Sequence, residues 1–154
     1  MGVRELGVKE WMRYFPLTYP LTHSPTPPRL LIVDDVKMNL TVLKALVKHI
    51  GGFETETAMD GREAFARLQN PDAPPIDAVI TDMWMPEMDG EELAKAIRAD
   101  AKLAKMPVHV ITADVELQET YAEKGFNSII LKPVTASTLG PLLVEIADYK
   151  ASAA

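Results

Sequence analysis

Val79-Ile80-Thr81-Asp82-Met83-Trp84-Met85-Pro86-Glu87-Met88-Asp89-Gly90 is the stretch that decides the fold. An apolar run ends on a carboxylate, a loop containing Pro86 follows, and Asp89-Gly90 opens a helix. This layout puts Asp82 at the carboxyl end of a strand, in the crevice where open parallel sheets bind ligands. An aspartate ending a strand is equally an ordinary turn residue. What converges on Asp82 decides between the two readings.

Working outward, strands and helices alternate. Leu30 to Val33 is a continuous apolar run, as expected of a strand covered on both faces. Leu43, Leu46, Val47 and Ile50 recur at helical spacing before Gly51-Gly52. Phe53 to Met59 reads as a second strand, and Asp60 with Glu63 as a capping box for a helix through Leu68. Ile76 to Thr81 form the central strand. Asp89 and Glu92 then cap a helix that turns Leu93 and Ile97 inward. Val108 to Thr112 is a fourth strand, a helix is expected from about Val115 to Gly125, and Ser128 to Leu131 is a fifth strand. Leu139, Leu142, Leu143 and Ile146 mark a final helix, with Pro141 expected in its first turn. Five such β-α units predict an α/β fold, a doubly wound five-stranded parallel sheet with helices on both faces.

In such a sheet the residues ending each strand gather along one edge. They are Asp34-Asp35, Asp82, Thr112 and Lys132-Pro133. Two carboxylates 4 Å apart repel by about 4 kcal/mol at an effective dielectric of 20, so three together call for a cation. Oxygen ligands without cysteine or clustered histidine select a hard ion, Mg²⁺ or Mn²⁺. Lys132 supplies further positive charge. The set suits phosphoryl transfer: a carboxylate oxygen attacks phosphorus, cations neutralise the equatorial oxygens, and the Thr112 hydroxyl bonds the new group. Singly, each piece has a plainer account. Asp34-Asp35 would cap a helix, Thr suits strands, and His109 in mid-strand reads as a satisfied core histidine.

Ile32-Val33-Asp34-Asp35, Asp82 to Gly90, Thr112-Ala113 and Lys132-Pro133 together resemble the receiver domain of two-component response regulators. The resemblance runs from about Arg29 to Tyr149. It implies a flavodoxin-like fold, bound Mg²⁺, and transfer from a phosphohistidine to Asp82. The donor would be a sensor histidine kinase or a histidine phosphotransfer domain. It further implies that Asp35, Asp82 and a backbone carbonyl at Met83 or Trp84 hold the metal, with Asp34 acting through water. Thr112 would be the switch hydroxyl and Lys132 the phosphate partner. Many receivers carry an aromatic residue three positions before the lysine, whose rotation is coupled to the threonine; the switch position here is Ile129, which puts a threonine–aromatic switch in doubt. Trp84 and Asp114 stand where the family tunes the lifetime of the phosphoryl group, and bulky Trp84 predicts slow self-dephosphorylation. Asn39 and the Met-rich loop lean toward receivers of hybrid sensor kinases. The family's docking habits place a partner around Tyr121, Phe126 and Leu139. The resemblance also implies a cytoplasmic location, or the cytoplasmic side of a membrane for a hybrid kinase.

Composition agrees with this class. Hydrophobic content of 47% with 25% charged residues is that of a globular chain. A net charge of −6 argues against a nucleic-acid surface. There are no cysteines to make disulfides, and no apolar run long enough for direct membrane insertion. Residues 1–28 hold five of the twelve prolines, so they read as a linker or arm preceding a receiver domain at 29–150. Within them Val8, Trp11, Met12 and Phe15 fall at helical spacing. The arm is either a plain linker or a docking and dimerising element. The last helix is expected to end near Tyr149, leaving no room for an output domain. Two other functions compete with a phosphoacceptor. A haloacid-dehalogenase-like hydrolase needs a second aspartate where Trp84 stands. A degenerate receiver would bind partners without being phosphorylated, although every site position here is filled.

Overall fold

The computed structural model describes residues 26–153. The arm's proposed helix lies outside them. Five parallel strands form one sheet: β1 Arg29–Val33, β2 Glu54–Ala58, β3 Ala78–Asp82, β4 Val108–Thr112 and β5 Ser128–Leu131. Their order is β2-β1-β3-β4-β5, which sets the chain reversal between β1 and β3. The helices are α1 Lys37–Ile50, α2 Gly61–Gln69, α3 Gly90–Ala99 and α4 Ala136–Ala153. This is the flavodoxin-like arrangement expected.

Strand alternation sorts the core into two layers. Leu31, Val33, Val79, Val108 and Val110 pack with Leu93 and Ile97 of α3 on one face. Leu30, Ile32, Ile80 and Ile111 pack with Leu43 and Val47 of α1 and Leu139 and Leu143 of α4 on the other. Capping fixes where two helices begin. Asp89 and Glu92 form a reciprocal capping box at α3. At α2 the Asp60 carboxylate accepts from the Glu63 N–H, while the Glu63 side chain reaches back to Met59 N–H instead of Asp60. Arg98, near the end of α3, donates to the carbonyls of Ala104, Met106 and Gly125 and to Asn127 Oδ1, tying the approach to β4 to the approach to β5.

The structure departs from the sequence expectations in three places. The segment from Val115 to Gly125 is not an α-helix but a 3-10 turn over Val115–Glu119 followed by irregular turns. Its bonds mix spacings: Thr120 and Tyr121 N–H both point to the Leu117 carbonyl, and Gly125 N–H to that of Ala122. Only Leu117 is buried within Val115–Glu119, and Val115 is exposed, so little apolar burial stabilises a regular helix there. Pro141 lies beyond the first turn of α4. Pro141 is exposed, as is Ser137, the residue whose carbonyl loses its helical partner to the proline. Phe126 and Leu139, expected on a partner surface, are 3% and 0% exposed and belong to the core.

Candidate functional site

Strand register assembles the site. Val33 pairs with Thr81, so Asp34 leaves β1 beside Asp82 at the end of β3. Asp82 pairs with Ile111, which sets Thr112 one residue further along β4. Thr112 pairs with Leu131, and the Lys132 N–H donates to the Thr112 carbonyl at 2.9 Å. Each site residue therefore ends or follows a different strand of one edge.

Asp34, Asp35 and Asp82 each offer a carboxylate oxygen, and these oxygens lie within 4.8 Å of one another. Neither Asp34 nor Asp35 caps α1: its N-cap is Val36, with no side-chain cap. Instead Asp34, 2% exposed, accepts from Val36 N–H at 2.8 Å and from the Asn39 amide at 3.1 Å. Asn39, in the first turn of α1, thus fixes the orientation of Asp34. The five-residue spacing of Asn39 from Asp34 is the signal in the sequence for that role. Lys132 Nζ sits 3.0 Å from Asp82 Oδ1.

Burial pushes the Asp82 carboxyl above its ordinary value; Lys132 opposes this, and the neighbouring Asp34 adds to it. One positive charge faces three carboxylates, so the site is short of cations. An octahedral Mg²⁺ with oxygens at about 2.1 Å holds them roughly 3–4 Å apart, which suits this cluster. The donor set fits a hard divalent ion.

Thr112 is buried, and its hydroxyl oxygen accepts from the Asp114 N–H at 3.1 Å, leaving the hydroxyl proton to donate elsewhere. Ile129 is half-buried and packs against the core. Trp84 is 63% exposed beside the crevice. The Met83 carbonyl accepts from the Gly90 N–H at 2.8 Å. A Cβ on Gly90 would lie 2.5 Å from the Asp82 carbonyl oxygen, so only glycine lets α3 start this close beneath the site. His109 is buried, with Nδ1 2.6 Å from Ser128 Oγ, but its Nε2 has no partner; it is half satisfied rather than satisfied.

The sequence pattern of the response regulator receiver domain matches residues 30–143. The chain belongs to that family. Among curated relatives it is 39% identical over 120 residues to the chemotaxis protein CheY-3 of Vibrio cholerae, covering 77% of this chain and 90% of that one. It is 34% identical over 113 residues to CheY of Pseudomonas aeruginosa, covering 72% of this chain and 89% of that one. Among solved structures, Vibrio cholerae CheY4 superposes with a TM-score of 0.69 at 30% identity, covering 79% of this chain and 99% of that one. The receiver domain of a Pseudomonas aeruginosa sensor histidine kinase, solved with a magnesium ion in its active-site cleft, shares the fold at 24% identity. Its TM-score is 0.68, with 80% of this chain and 99% of that one covered. This receiver is thus a two-component signalling domain of CheY-like type. Among its described residues no helix is long and apolar enough to cross a membrane.

Proposed function

We propose that this receiver takes a phosphoryl group from a partner's phosphohistidine onto Asp82, with Mg²⁺, or Mn²⁺, held by Asp35, Asp82 and the Trp84 carbonyl and by Asp34 through water. The supporting observation is the meeting of three carboxylates and one ammonium at a single strand edge. An Asp82 oxygen forms a bond to phosphorus while the phosphorus–nitrogen bond breaks, its electron pair returning to the imidazole. Lys132 holds Asp82 ionised against its burial and then passes to the phosphoryl oxygens. A bound divalent ion supplies the remaining charge neutralisation on those oxygens. The Thr112 hydroxyl donates to the new group, and its backbone bond to Lys132 links the two responding residues. Ile129 brings no ring to rotate, so this coupling replaces an aromatic switch. The chain's role is signalling in the cytoplasm, with no substrate turnover beyond its own phosphorylation and slow dephosphorylation.

The partner, a sensor histidine kinase or a histidine phosphotransfer domain, covers the rim of this crevice. Of seven exposed large hydrophobic residues among those described, Val36, Met38, Val42, Met59 and Trp84 lie on α1 or on loops at the carboxyl edge. Apolar side chains grouped around a reactive group favour docking there.

Acetyl phosphate with Mg²⁺, read by intact mass beside Asp82→Asn, tests the reading. One phosphoryl adduct is expected, dependent on Mg²⁺, absent from the variant, and lost slowly because Trp84 shields phosphorus from water. Mg²⁺ binding without an adduct would point to a required protein donor. Neither binding nor adduct would leave a phosphorylation-independent binding module.

A further inference from the structure

Helix α1 begins without the device that begins α2 and α3. Those two helices carry a glutamate at their third residue, Glu63 and Glu92, whose carboxylate reaches back over the helix start. At the same place α1 has Asn39. Its first turn holds no acidic residue, and its N-cap, Val36, makes no side-chain cap. For the helix alone asparagine is the poorer choice. It forms helix less readily than glutamate, and it forgoes the favourable negative charge at a helix start.

Asp34 accounts for the exchange. A glutamate at position 39 would bring a like charge to the buried Asp34 carboxylate, whereas the Asn39 amide donates to Asp34 Oδ2 at 3.1 Å. Val36 N–H reaches the other oxygen, Oδ1, at 2.8 Å. An aspartate's carboxylate turns easily about its last torsion. One hydrogen bond is a pivot for that rotation; a second, on the opposite oxygen, stops it. Each Asp34 oxygen still keeps an unused lone pair to accept from a water. Mg²⁺ demands near-ideal octahedral geometry and keeps several of its waters, so the direction of those lone pairs matters.

We propose, resting on the metal reading above, that Asn39 is a positioning residue for the divalent ion: its amide sets the plane in which Asp34 receives metal-bound water. Asn39 does not touch the ion. It raises the affinity of the site by removing in advance a rotation that Asp34 would otherwise lose on binding.

Titration of the full chain with Mg²⁺ by calorimetry, and with Mn²⁺ by the electron spin resonance of the free ion, tests this without any phosphodonor. Asn39→Ala is expected to weaken both affinities roughly tenfold. Circular dichroism should stay that of the parent, alanine being the better helix former. The same substitution made in Asp34→Ala is expected to change affinity by less than about twofold, because the carboxylate it positions is gone. A merely structural contribution from Asn39 would weaken binding alike in both backgrounds. Equal affinities of the parent and Asn39→Ala overturn the proposal, as does a loss that persists in full without Asp34. A parent that binds neither ion overturns the metal reading itself, and the role of Asn39 with it.

Discussion

Between pH 6.5 and about 4 the fold is expected to lose roughly 3 kcal/mol of stability through His109 alone. Burial, with a smaller push from Arg98, lowers the imidazole from 6.5 to about 4. Above pH 6.5 the group is neutral whether folded or unfolded and contributes no slope. As pH falls below 6.5 the unfolded chain takes up a proton that the folded chain refuses. Stability then drops by about 1.4 kcal/mol per pH unit until the folded group titrates near 4. Glu56, Glu91 and Asp100, whose carboxyls are lowered by their partners, add losses only at the acid end of this range. Asp82, raised by burial, works in the opposite direction at pH values above its ordinary carboxyl range. Because those groups are common to both proteins, comparison with His109→Gln isolates the imidazole's share. Between pH 7.5 and pH 5, urea unfolding should show a loss of stability roughly 2 kcal/mol larger in the parent than in His109→Gln. An equal loss in both proteins would assign the acid sensitivity to another group.

Gly90→Ala is expected to cost about 1–3 kcal/mol although alanine is the better helix former. The new Cβ would meet the Asp82 carbonyl oxygen at 2.5 Å and Met83 Cα at 3.0 Å. Both are backbone atoms at the end of a central strand and cannot swing aside as a flexible side chain would. Either α3 withdraws and stretches the 2.8 Å bond from Gly90 N–H to the Met83 carbonyl, or the end of β3 moves. The second response displaces Asp82 from Lys132, so the adduct formed with acetyl phosphate should diminish along with stability. A variant as stable and as readily phosphorylated as the parent would mean that the loop has slack that this contact denies.

The same contrast explains what was legible in the sequence. Asp34, Asp35, Asp82, Thr112 and Lys132 could be placed because parallel strands put their ends on one edge, and strand ends are marked by where apolar runs stop. Leu117 and Tyr121, four residues apart, imitate a helical face, but with Leu117 the one buried residue of Val115–Glu119 the backbone settles into mixed turns. Pro141 suits a helix start, where its missing N–H is harmless, whereas its exposure makes the loss tolerable further in. Phe126 and Leu139 were placed outside by analogy, yet each closes a core layer. The closeness of Gly90 to Asp82 and the reach of Arg98 to four acceptors depend on how distant segments approach. No local pattern encodes either.

The two outer strands carry a consequence for self-association. Edge strand β2 reads Glu-Thr-Glu-Thr-Ala, with Arg29 paired to both Glu54 and Glu56, and Arg67 also bound to Glu56. A second molecule adding its own strand there would set its backbone against a row of carboxylates already engaged with guanidinium groups. At the other border β5 is four residues long and runs straight into Lys132-Pro133, where the imino residue has no N–H to offer a neighbour. Charge guards one border and brevity the other, so copies of this domain are discouraged from zipping into continuous sheets.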